Sequence, residues 1–143
     1  MKKFLILLAV LVLFCAFPVC AEEIPVYING ERLEFDVAPM LVNERTMVPM
    51  RFIFEKFGAT VAYEHETRSV MAGYTDSNGD SSIIFFTIGS DRAFINNKLV
   101  ILDAASFETE GRTLVPLRFI SEALGHDVFW NEEEFAVYIT TKN

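Results

Sequence analysis

Two stretches of this chain carry the same ordered residues, so the chain is expected to fold as two like units. Arg45-Thr46-Met47-Val48-Pro49-Met50-Arg51-Phe52-Ile53 recurs 67 residues later as Arg112-Thr113-Leu114-Val115-Pro116-Leu117-Arg118-Phe119-Ile120. Of the 19 positions from Arg45 to Tyr63, 10 are identical in the second copy. The register holds on both sides. Tyr27-Ile28-Asn29-Gly30 aligns with Phe94-Ile95-Asn96-Asn97, Asp36 with Asp103, and Val70 with Val137. The copies span residues 26–73 and 93–140, with residues 74–92 between them. Repetition at this scale implies duplicated supersecondary units that bury their apolar faces against each other.

Each copy opens on a predicted hairpin. Val26-Tyr27-Ile28 and Arg32-Leu33-Glu34-Phe35 flank Asn29-Gly30, a pair suited to positive φ, and Asn96-Asn97 takes its place in the second copy. Leu33 with Phe35, and Leu99 with Ile101, alternate as core-facing strand residues do. A second extended piece, Thr46-Met47-Val48 or Thr113-Leu114-Val115, leads into a helix. Pro49 and Pro116 stand where a helix's first turn tolerates proline, and Gly58 and Gly125 stand where its end favours a left-handed residue. The predicted core stripe is Met50, Ile53 and Phe57, matched by Leu117, Ile120 and Leu124. Arg51 with Glu55, and Arg118 with Glu122, are spaced for ion pairs on another face. Two short strands follow each glycine. The predicted class is α+β: tandem β-β-(β)-α-β-β repeats, antiparallel sheets with one helix per repeat packed on them, and a linker strand from Ser82 to Ile88.

The first 21 residues read as an export signal rather than as part of the fold. Lys2 and Lys3 precede an apolar run of 14 residues, Phe4 to Phe17, and Val19-Cys20-Ala21 offers small residues for cleavage. The run is shorter than the roughly 18 residues of a membrane span; an uncleaved anchor is the alternative reading. The expected mature domain, residues 22–143, loses Cys15 and Cys20, so no disulfide or thiolate ligand is expected in it. It keeps 10 basic against 20 acidic residues, a net charge of −10. Such a chain is repelled by phosphate backbones and anionic lipid, so nucleic acid is not an expected partner, and no stable membrane span is expected once the signal is cleaved.

Catalytic or metal chemistry finds little support. His65 and His126 do not align with each other, although His126-Asp127 and Glu132-Glu133-Glu134 carry suitable ligands. Asp76-Ser77-Asn78-Gly79-Asp80 opens like a calcium loop, but Ser81 stands where that loop needs glycine and Thr87 where it needs glutamate. Ser69, Ser106 and Ser121 lie in no nucleophile motif. No catalytic residue, metal or cofactor is expected.

The run Gly111 to Phe119, the helix, the glycine, the strand ending in Trp130, the polar turn and Val137-Tyr138-Ile139 resemble the copper amine oxidase N-terminal-like domain, or stalk domain. In the first copy Glu44 replaces the glycine. The resemblance implies an accessory module without copper or oxidase chemistry. That chemistry needs an Asn-Tyr-Asp/Glu quinone precursor and three histidines, and this chain has no Asn-Tyr pair and 2 histidines. The expected function is a non-catalytic secreted stalk or scaffold at the bacterial cell envelope, with a cell-wall polymer or another envelope protein as partner. The alternative is a glycan- or peptide-binding domain using the aromatic strand ends, Trp130, Tyr138, Tyr63 and Phe129. The competing reading of those aromatics is core filling. Arg45, Arg51, Arg112 and Arg118 are expected to pair with acids such as Asp36 and Asp103 or to bind an acidic ligand. With Pro49, Gly58, Pro116 and Gly125 they form the structural motif.

Overall fold

A computed structural model of the chain describes residues 23–142; the predicted signal and its two cysteines lie outside them. The first half runs β1 (Val26–Ile28), β2 (Glu31–Arg32), β3 (Met40–Val42), β4 (Arg45–Pro49), α1 (Met50–Lys56), β5 (Thr60–Glu64) and β6 (Ser69–Thr75). After β7 (Ser81–Thr87), the second runs β8 (Arg92–Ile95), β9 (Lys98–Ile101), β10 (Phe107–Thr109), β11 (Arg112–Pro116), α2 (Leu117–Ala123), β12 (Asp127–Asn131) and β13 (Ala136–Thr140). The class is α+β, mostly antiparallel strands with two short helices.

Each helix follows four strands, more than the sequence predicts. The unforeseen strands are β3 and β10. They pair with β4 and β11 through two-residue turns at Asn43-Glu44 and Glu110-Gly111. All four turn residues have positive φ, as a type I′ turn requires: 49° and 61° in the first, 49° and 73° in the second. The predicted turns at Asn29-Gly30 and Asn96-Asn97 take the same form, with φ of 49° and 83°, and 50° and 64°. The strand expected through Phe35 ends at Arg32 instead. Leu33 closes the hairpin by donating its N–H to the Val26 carbonyl at 2.8 Å, and then the chain turns away so that Phe35 packs on Phe52.

Pro49 and Pro116 close β4 and β11 and cap the helices rather than opening their first turns, with φ of −57° and −59°. At the other end the glycines act as predicted. Gly58 N–H donates to the Glu55 carbonyl and Ala59 N–H to that of Phe54; Gly125 and His126 repeat the pattern on Glu122 and Ser121. This is the left-handed helix stop, and Gly58 and Gly125 have φ of 81° and 79°. The core stripe needs one correction. Phe54 joins Met50 and Ile53 as its third buried residue, while Phe57 lies one position past the helix end as its cap and is only half-buried, although its counterpart Leu124 is buried.

Three sheets result, ordered β12-β13-β1-β2, β10-β11-β4-β3 and β5-β6-β7-β8-β9. None belongs to one half. In the first, β1 runs parallel to β13 with Val26 opposite Val137. In the third, β7 is spliced between β6 and β8, antiparallel to both. The middle sheet joins the halves through β4 and β11, where Val48 faces Val115 across an antiparallel pair. Val48 and Val115 are 67 residues apart, so this pair lies on a local two-fold relation between the halves. One core cluster gathers residues of both halves, among them Val26, Ile53, Phe54, Phe86, Leu117, Ile120 and Ile139. A smaller one, Val37, Met47, Ala104 and Leu114, lies on the other face of the β4–β11 pair.

Alternation misled at β9. Leu99 and Ile101 face outward, 48% and 59% exposed, while Val100 packs on the core.

The two type I′ turns of the middle sheet yield a paired prediction. Glu44 holds a left-handed conformation that costs an L-residue about 1–2 kcal/mol, and Gly111 holds its counterpart without that cost. A Cβ at Gly111 meets nothing within 4 Å, so only backbone strain is at issue there. Glu44→Gly should stabilise the protein by about 0.5–1 kcal/mol, after allowing for glycine's greater freedom when unfolded, and Gly111→Ala should destabilise it by about 1 kcal/mol. Urea unfolding midpoints measure both; equal effects of one sign would contradict the assignment.

Candidate binding grooves

The helix starts, the strand ends after the helices and the middle-sheet hairpins converge on two grooves. In each, the helix and aromatic strand come from one half and the hairpin from the other. The first, about 430 Å³, is lined by Leu41, Glu44, Arg45 and Thr46 of the β3–β4 hairpin and by Leu117, Arg118, Val128, Trp130 and Glu132. The second, about 580 Å³, is lined by Glu108, Gly111, Arg112 and Thr113 of the β10–β11 hairpin and by Met50, Arg51, Phe52, Tyr63 and His65. Position by position at the 67-residue spacing, Trp130 stands for Tyr63, Arg118 for Arg51, Glu132 for His65 and Leu41 for Glu108.

Two reciprocal ion pairs tie the hairpins across the halves. Arg45 Nε donates to Asp103 Oδ2 at 2.8 Å, and Arg112 Nε donates to Asp36 Oδ2 at 2.7 Å. Arg112 bonds Asp36 through a second nitrogen as well, at 2.6 Å, and this contact holds the Asp36 carboxyl below its ordinary range. All four side chains are substantially exposed, so water screens the pairs and they fix geometry more than they stabilise.

The two grooves differ in how far the protein satisfies its own groups. In the second, Tyr63 donates to Glu108 at 3.5 Å, Arg68 donates to the same carboxylate at 2.8 Å and Arg51 meets Glu55 at 3.9 Å. In the first, the Arg118–Glu122 pair expected from sequence does not form, and neither Glu44 nor Glu132 meets a cation among the described residues. Trp130 is half-buried, with Phe135 edge-on to it at 5.1 Å between ring centres.

The four aromatics singled out by sequence do not share one surface. Strand alternation sends Trp130 to one face of its sheet with Val128 and Val137, and Phe129 to the other with Tyr138. Tyr63 lies on a different sheet. Tyr138 stacks on Tyr27, with centres 4.9 Å apart and planes 9° from parallel. Its hydroxyl donates to Glu134, which pushes its pKa up to about 12. Phe129 is exposed on the same face.

The remaining candidates take structural places. Asp76 Oδ1 accepts the N–H groups of Asn78 and Asp80, which folds the calcium-like loop into a turn on itself. Ser106 and Ser121 are buried with unpartnered hydroxyls, and Ser69 shares a hydrogen bond with Thr87. No three His, Cys, Asp or Glu side chains gather to hold a metal among the described residues. His126 is buried against Phe57, and its Nδ1 has no partner.

Sequence reasoning missed a broad apolar face. Met71, Phe85, Phe94 and Leu99 form one rung across β6, β7, β8 and β9, flanked by Ile83 and Ile101. All but the partly buried Phe85 are exposed. The available signal was the unbroken apolar run Ile83 to Phe86, too apolar for a strand with one wet face.

Burial holds His126 below its ordinary pKa of 6.5, against an opposing pull from Asp127 and with a smaller push from Lys142. The unfolded chain therefore takes up this proton at higher pH than the folded one. The contribution to stability is whole above pH 6.5 and is lost as pH falls below it towards the folded value. Melting temperature should drop between pH 7.5 and 5.5, and His126→Leu should flatten that drop. An unaltered slope in the variant would remove His126 as its source.

No curated protein matches the chain significantly. The profile of the copper amine oxidase N-terminal domain matches residues 27–139, most of the chain, in agreement with the resemblance carried by the Gly111–Phe119 motif. The chain belongs to the copper amine oxidase N-terminal domain family.

Proposed function

We propose that this protein is a non-catalytic secreted module that acts at the bacterial cell envelope through surface contacts, as a stalk or scaffold built from two copies of one β-rich unit. The family is that of an accessory domain, which accords with a non-catalytic role. The observation that carries the contact reading is the outer face of the β5–β9 sheet. Met71, Ile83, Phe94, Leu99 and Ile101 are 39–59% exposed there on adjacent strands. Large contiguous apolar patches are rare on proteins that work alone and mark interaction surfaces. A chain of net charge −8 stays soluble in spite of such a face.

The test is fractionation of the exporting cells. Ile83→Glu with Ile101→Glu should shift the protein from the envelope fraction to the medium several-fold. Because both side chains are exposed, each change should alter stability by no more than about 0.5 kcal/mol. An unchanged partition with an intact fold would refute contact through this face.

A further inference from the structure

We infer that the first groove is a binding site for a neutral hexopyranose of a glycan, with Trp130 as the stacking surface and Arg118, Glu132 and Glu44 as partners for its hydroxyls. The argument rests on the difference between two grooves of like construction. The second is satisfied internally where they differ: Glu108 takes the Tyr63 hydroxyl and Glu55 meets Arg51, whereas the Arg112–Asp36 pair has its equivalent in Arg45–Asp103 of the first. At the matching places the first groove carries Leu41 instead of Glu108 and an indole instead of a phenol. Arg118, Glu44 and Glu132 enter no ion pair among the described residues.

That set fits one ligand chemistry. The C–H face of a pyranose carries slight positive charge and meets the negative face of an aromatic ring, and a half-buried tryptophan beside leucine and valine supplies such a ring. Sugar hydroxyls both give and accept hydrogen bonds. A guanidinium presents donors in a plane, and carboxylates present only acceptors, so the three free charges match alternating hydroxyls. Two carboxylates beside one unpaired guanidinium disfavour an anionic sugar, as does a net charge of −8. A volume of about 430 Å³ lies within the range of small-ligand sites. Phe135 packs against the indole in a T-shaped contact, with ring centres 5.1 Å apart. The site is separate from the apolar sheet face, so either proposal can fail alone.

Trp130 is the chain's single tryptophan, so its emission reports on this groove without background from another indole. Titration of the protein with cellotetraose and with the tetramer of N-acetylglucosamine should give a saturable change for at least one of them. Arg118→Gln and Glu132→Gln should each weaken it tenfold or more, whereas Arg51→Gln, the matching change in the second groove, should leave it intact. Trigalacturonate and a tetra-alanine peptide should give no response. Three results would overturn the inference: no saturable response to either neutral probe, equal loss in the Arg51 and Arg118 variants, or tighter binding of the peptide or the acidic sugar. Calorimetry on Trp130→Ala, which keeps the groove's charges, should show the binding lost; binding retained there would also overturn it.

Discussion

The antiparallel pairing of β4 with β11, centred on Val48 opposite Val115, governs where everything else can lie. Both valines are fully buried, and each strand ends in a proline that turns the chain into a helix. The two helices therefore leave the pair in related ways and place Ile53 and Ile120 in the same core. The strands after each helix then meet the opening hairpin of the other half: β12 and β13 beside β1 and β2, β5 and β6 beside β8 and β9 with β7 between. Neither half owns a complete sheet. Arg45 with Asp103 and Arg112 with Asp36 repeat this exchange at the surface.

A duplicated framework leaves room for the copies to diverge where the framework does not need them. The residues that set backbone and core recur: the prolines, the helix-stopping glycines, the isoleucines of the helices, and the arginines that cross between hairpins. The groove residues between them differ. Glutamate in one hairpin is leucine in the other, and phenol is replaced by indole. One groove has become a set of internal contacts, and the other keeps unpaired charges around a half-buried ring. β7 is a second divergence. It widens one sheet to five strands, and the outer side of that sheet is apolar where the outer side of its four-stranded counterpart carries tyrosines.

Much of this was legible in the sequence because particular residues have few conformational options. Asn29-Gly30 and Asn96-Asn97 announced type I′ turns, Gly58 and Gly125 announced helix stops, and the helices fell within a residue of their expected ends. The family was legible from the Gly111–Phe119 run. β3 and β10 were not, since three-residue strands carry almost no periodicity and Asn-Glu is a poor hairpin turn on paper. Nor was the phase of β9, because Leu99, Val100 and Ile101 are all apolar and alternation cannot say which faces water. The grooves could not be read from either copy alone. Each joins a hairpin to the other half's aromatic strand, and a sequence records no pairing between segments so far apart. Trp130 and Tyr138 do not share a face for a simple reason: their rungs are adjacent, and adjacent rungs face opposite ways.

Amide hydrogen exchange tests the exchange of strands between halves most directly. Asn29 N–H donates to the Ile139 carbonyl and Val137 N–H to that of Pro25, so both amides sit at the seam between β1 and β13, where the two halves meet. If the halves form one cooperative unit, these two amides should open with the same free energy as those at the centre of β6 and β7, which is the free energy of global unfolding. Seam amides that exchange freely while β6 and β7 stay protected, or two separate opening energies for the two halves, would contradict the account.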